Sequence, residues 1–153
     1  MSLHKFFVLH SSPIFTTRDF AIQTNVSVSS ATRYLSGLER KKELMRITRG
    51  LWLFAKEETV HPFSIVPYLL GNEQGYISLL SALHLHGVLS QIPTRVQIVS
   101  TGHAKLVKTK IAIYEFFQMK PEVMTEGVEW MVIPQPFRMA TPERALLDAL
   151  YLS

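Results

Sequence analysis

The apolar positions in the first third of the chain change from a helical period to an alternating one. Residues 19–35 read Asp-Phe-Ala-Ile-Gln-Thr-Asn-Val-Ser-Val-Ser-Ser-Ala-Thr-Arg-Tyr-Leu, and Ala31, Leu35 and Leu38 then fall on one helix face. A short first helix is closed by Asn25, which tolerates the left-handed turn that most residues avoid. Val26 packs inward, and Ser27 is a good N-cap for a second helix starting at Val28. Beyond Arg40-Lys41-Lys42 the period becomes two. Met45 and Ile47 alternate with Arg46 and Thr48, and Leu51 and Leu53 follow Arg49-Gly50. This predicts two short strands and a tight turn, a β-wing.

The rest of the chain mixes both periods. A short helix is expected over 62–70, and another in the stretch 75–88, with Ser78 as N-cap and Gly87 as its stop. Three strands are expected over 95–100, 110–116 and 129–133, with a basic turn at 102–108. Thr141-Pro142-Glu143-Arg144 opens a last helix with a threonine cap, a first-turn proline and a first-turn acid. Ala145, Leu146, Leu147, Ala149 and Leu150 make that helix apolar on most of its circumference. The fold class expected is α+β: an N-terminal winged helix-turn-helix over 1–55, then a small mixed α/β domain with a short sheet over 56–153. Phe6, Phe7, Val8 and Leu9 supply the first helix of the head, and 56–62 is a linker.

Charge sharpens this picture. Residues 1–55 hold eight Lys and Arg against three acids, a net of +5, whereas 56–153 hold eight against nine, a net of −1. The +4 of the whole chain therefore arises in its first third, as expected of a polyanion-binding head. A basic amphipathic membrane helix is disfavoured, because the apolar face is alanine and leucine at core spacing without interfacial aromatics. No stretch approaches the ~20 apolar residues of a membrane span. The chain has no cysteine, which excludes disulfides, zinc fingers and thiol catalysis, and a cytoplasmic setting is expected.

The second helix turns Ser29, Thr32, Arg33, Ser36 and Arg40 to the face opposite its apolar stripe. Short polar and cationic groups in that arrangement suit a helix laid in a DNA major groove. Arg33 is the candidate for a bidentate guanine contact, and Thr32 for a thymine methyl or phosphate. Arg40, Lys41, Lys42, Thr48 and Arg49 are candidate phosphate contacts, with Thr17, Arg18 and Ser27 at the helix starts. The competing structural reading is a small helical bundle with a solvated basic face. Two other functions stay open: a head diverted to a protein partner, or a nucleic-acid enzyme carrying a reader domain.

Catalytic candidates are sparse. His84 and His86 stand two apart on a helix and point in different directions, unlike an i, i+4 metal pair. His61 and His103 have no carboxylate in a ligand pattern. Glu115 and Lys120 flank a strand without a partnering aspartate, and Glu143 and Asp148 are five apart and poorly aligned. Glu143 with Arg144 is expected to serve the helix start and a salt bridge. No glycine-rich phosphate loop or nucleophile elbow is present. The expectation is a protein without catalytic residues, cofactor or metal.

The order of motifs resembles a known family. The head is followed by Tyr-Ile-Ser-Leu-Leu-Ser-Ala-Leu-His-Leu-His-Gly-Val at 76–88, by Gln91-Ile92-Pro93, and by Thr-Pro-Glu-Arg-Ala-Leu-Leu-Asp-Ala-Leu at 141–150. This resembles AbiEi-type antitoxins and related transcriptional regulators over nearly the whole chain. The resemblance implies a head that binds operator repeats in double-stranded DNA and represses its own operon. It also implies a second region that neutralises a cognate toxin of the nucleotidyltransferase type, with no membrane partner. Members commonly continue past the last helix, so the second domain is expected to be incomplete at its C-terminus.

Overall fold

Asn25 sets the first corner of the chain. It takes the left-handed conformation (φ 56°, ψ 48°), and its N–H turns back to the carbonyls of Ala21 and Ile22. The computed structural model describes residues 3, 5–6, 10, 12–54, 60–132 and 136–153. They form two compact units, Met1–Val60 and His61–Ser153.

In the first unit, strand β1 (Ile14–Thr16) leads directly into helix α1 (Thr17–Thr24). A reciprocal capping box starts that helix: Asp19 N–H donates to Thr16 Oγ1 and Thr16 N–H to Asp19 Oδ2, each at 3.0 Å. Helix α2 (Val28–Arg40) follows the Asn25 turn, with Ser27 Oγ accepting from Ser30 N–H. Strands β2 (Leu44–Thr48) and β3 (Leu51–Phe54) are joined by a turn in which Gly50 has a φ of 77°. β3 is the middle strand, paired antiparallel with both β1 and β2. Its four side chains are all buried. The core gathers Phe6, Phe15, Phe20, Ala21, Ala31, Leu35, Leu38, Leu44, Trp52 and Phe54, with Val26 packed against it. Phe6 stands edge-on to Phe15 and Phe20, a geometry that aromatic rings favour.

The second unit is built on a six-stranded mixed sheet. Its strands are β4 (Gly75–Ile77), β5 (Val96–Ser100), β6 (Lys105–Lys108), β7 (Ile113–Gln118), β8 (Val128–Met131) and β9 (Phe137–Ala140), in the order β6-β7-β5-β4-β9-β8. Ile77, Val96, Ile98, Tyr114, Phe116, Phe137 and Met139 are buried on one face. A 3-10 turn (Pro62–Ile65) and helix α3 (Val66–Leu70) lie on that side. There Phe63 packs edge-on against Phe137, and Tyr114 donates to the Pro62 carbonyl at 2.6 Å. Helices α4 (Leu79–Leu85) and α5 (Pro142–Leu152) serve the other face, where the Tyr76 hydroxyl reaches Asp148 of α5.

These findings correct the expected fold class. An N-terminal winged helix-turn-helix followed by a domain with a short sheet is not what the chain builds. Strands dominate after a short helix-and-strand start. The segment read as a wing is part of a three-stranded sheet whose middle strand it supplies, and the second sheet has six strands rather than three. The physical reason lies in strand length. β1, β4, β6 and β9 have three or four residues each, too few to display a period, and β6 lies where a basic turn was expected. Phe7, Val8, Leu9, the linker residues 56–59 and the end of the strand expected at 133 lie outside the described residues.

Candidate nucleic-acid interface

An α-helix advances ~100° per residue, so a side chain two positions from a buried one faces away from the core. On α2 the buried stripe is Ala31, Leu35 and Leu38. Ser29, Thr32, Arg33 and Arg40 are exposed, and Ser36 is half-buried beside them. Thr32 donates its hydroxyl to the Val28 carbonyl at 2.8 Å and remains exposed. Val28, not expected to contribute, is exposed one turn before Thr32 on the same face. A lone apolar residue just after a serine cap was the available signal for it.

Cationic groups extend this face. Arg40, Lys41 and Lys42 are exposed at the C-terminal end of α2, where Lys42 takes a positive φ of 62°. Arg18 is exposed on α1 and Arg49 in the β2–β3 turn. Thr17 N–H donates to the Gly50 carbonyl at 3.0 Å, which brings the Arg18 and Arg49 backbones together. Thr48 is half-buried before that turn. Glu39 Oε2 accepts from Arg46 N–H at 3.2 Å and fastens α2 to β2. Among the described residues no ion pair joins Arg18, Arg33, Arg40, Lys41, Lys42 or Arg49 to a carboxylate.

Two of the expected contacts serve the fold. Thr17 is buried, and its hydroxyl accepts the Trp52 indole N–H at 2.8 Å. Ser27 is exposed but occupied as the α2 cap, with its hydroxyl on Ser30.

The groups weighed for catalysis are dispersed, and His61, His84, His86, Glu115 and Asp148 are engaged within the fold. His61 caps the 3-10 turn by accepting from Phe63 N–H, and partial burial pushes its pKa below the ordinary 6.5. His84 bonds the Leu89 carbonyl and His86 that of Ala140. No group of three His, Cys, Asp or Glu among the described residues could hold a metal ion. Asp148 is fully buried and accepts from Tyr76, Ser78 and Arg144, so Arg144 pairs with Asp148 rather than with Glu143. Burial and the Asp148 charge push the Tyr76 phenol well above its usual range. Burial alone would lower the Arg144 pKa, but the hydrogen bond and charge of Asp148 raise it overall. A cleft of about 490 Å³ between α4 and the sheet holds Arg95, Gln97 and Glu115. Its polar groups are bound to one another: Arg95 to Glu115 at 3.2 Å, and Gln97 to Glu115 and to Leu80 N–H.

No helix among the described residues is long and apolar enough to cross a membrane. No protein-family model matches the chain, and no curated protein matches it at a significant level.

Proposed function

We propose that this chain is a sequence-specific double-stranded-DNA-binding regulator that presents α2 to the major groove. The observation that carries the reading is the outward face of α2, where Arg33 and the following Arg40, Lys41 and Lys42 are exposed and, among the described residues, joined to no carboxylate. Cations held free on a rigid helix suit phosphate and guanine recognition, whereas cations already paired inside the protein would not. Arg33 reads guanine, Val28 and Thr32 offer methyl groups to thymine, and Arg18, Arg40, Lys41, Lys42 and Arg49 grip phosphates. The motif order that resembles AbiEi-type antitoxins extends the proposal to repression of the chain's own operon.

A protein partner is the second reading, favoured by α5. That helix packs through Ala145 and Asp148, leaving Leu146, Leu147, Leu150 and Tyr151 exposed. Such a face suits partner binding, and a toxin of the nucleotidyltransferase type is the partner the resemblance implies.

The test is binding to the chain's own upstream promoter duplex against a scrambled duplex at two salt concentrations. Preference for the promoter, weakened by salt and by Arg33→Ala, is expected. Salt-sensitive binding without preference removes the regulator reading, and no binding at either salt leaves the protein-partner reading.

A further inference from the structure

The six-stranded sheet ends in two edges of opposite character, and no described strand pairs with the outer side of either. At one end is β6, Lys-Leu-Val-Lys, with Lys105, Leu106 and Lys108 exposed. Lys105 Nζ lies 4.9 Å from the Phe116 ring centre, which holds its charge on the Phe116 face of the sheet. At the other end is β8, Val-Glu-Trp-Met, with Glu129 exposed and Trp130 64% exposed. An edge strand presents a row of unpaired backbone groups, and charge on it commonly serves to keep other chains away. Lysine alone on β6 fits that protective role. An open tryptophan at the centre of β8 does not.

We infer that β8 of one molecule pairs with β6 of another, continuing the sheet head to tail. Strand direction permits it. Followed across the ladder, β6 is antiparallel to β7, β7 parallel to β5, β5 antiparallel to β4, β4 parallel to β9, and β9 antiparallel to β8. β6 and β8 therefore run in opposite directions, and a second copy displaced sideways along the sheet meets the first in an antiparallel pair.

The faces also agree. Lys105 and Val107 share a face with Phe116, Ile98, Ile77 and Met139, and so do Glu129 and Met131; Leu106, Lys108, Val128 and Trp130 lie on the other. In the register that sets Leu106 opposite Trp130, all four residues of each strand are paired. Val107 then faces Glu129, and Lys105 lies diagonal to Glu129, within reach of a long side chain. On the second face Lys108 lies diagonal to Trp130, where an ammonium can sit over the indole.

Charge selects this seam over the symmetric ones. Pairing β6 with β6 puts lysines on both strands with no acid between them, and pairing β8 with β8 does the same with Glu129. Like charges across a ladder destabilise it. The association is heterologous and open, so it grows beyond a dimer.

The test is sedimentation velocity of the full chain over a concentration series at low and high salt. Species larger than a dimer are expected to grow with concentration and to recede with salt. Glu129→Lys alone, and Lys105→Glu with Lys108→Glu, should each sediment as monomers with unchanged circular dichroism. Mixed in equal amounts they should associate, since each restores the charge its partner lacks. A wild type that stays monomeric throughout overturns the proposal, as does one that stops at a dimer. Association that survives both variants but is lost on Leu147→Lys places the seam on α5 and equally overturns it.

Discussion

Trp52 of β3 donates its indole N–H to the hydroxyl of Thr17, the first residue of α1, across 2.8 Å in the interior of the first unit. The bond joins the middle strand to the helix start and removes Thr17 from any surface role. Thr17→Val keeps the shape and leaves the indole N–H without an acceptor. It should cost about 1–3 kcal/mol in a denaturant titration, the penalty for an orphaned buried donor. The salt dependence of DNA binding should not move.

Arg33 and Lys41 separate two kinds of contact under the proposed function. Arg33→Ala should cost about 1–3 kcal/mol on the promoter duplex and relax preference at one base pair. Lys41→Ala or Arg49→Ala should weaken all duplexes alike and lower the salt slope by about one. Fluorescence anisotropy over a salt series measures both. An Arg33→Ala protein that keeps full preference would put the helix elsewhere on the DNA.

The Asp148 carboxylate is buried among Arg144, Tyr76 and Ser78. Asp148→Ala strands a guanidinium and two hydroxyls and should destabilise the second unit by about 3–5 kcal/mol. Asp148→Asn should recover part of this, because the amide oxygen still accepts from one hydroxyl. Chemical denaturation of the two variants side by side checks the order.

His61 gives the second unit an acid sensitivity. Its folded pKa lies below the ordinary 6.5, so the unfolded chain binds the proton more tightly. The contribution is fully present above pH 6.5 and is lost as the pH falls through the lowered value. Protonation also removes the lone pair on Nδ1 that accepts from Phe63 N–H. Melting temperature should therefore drop toward acid, and less so in His61→Asn, which keeps a cap acceptor that does not titrate.

What could be read from sequence depended on element length. Asn25, the Ser27 cap and the Ala31-Leu35-Leu38 stripe were legible because thirteen residues of helix display the period several times. The start of α1 at Thr17 was legible as well, although its cap, the box formed by Thr16 and Asp19 three residues apart, was not drawn from the pattern. β4 and β6, of three and four residues, carry too little alternation to stand out, so β4 disappeared into a helical stretch and β6 into a turn. α5 misled for another reason. It was read as apolar on most of its circumference, yet the buried side is Ala145 and Asp148, because the carboxylate answers Tyr76 and Ser78 on the sheet side. Hydrophobicity marks a face to be covered, without saying by what.

One hydrogen bond already described bears on the order in which the second unit takes shape. Ser78 precedes α4 but gives its hydroxyl to Asp148, so the first turn of that helix takes its acceptor from the Gln97 side chain instead, at Leu80 N–H. Leu79 holds a left-handed φ of 54° in the same turn. A seven-residue helix with a strained entry and a cap from a strand seventeen positions away has little reason to persist alone. Its amides and those of β5 are accordingly expected to open to hydrogen exchange together, as one cooperative unit, rather than by fraying from the helix end.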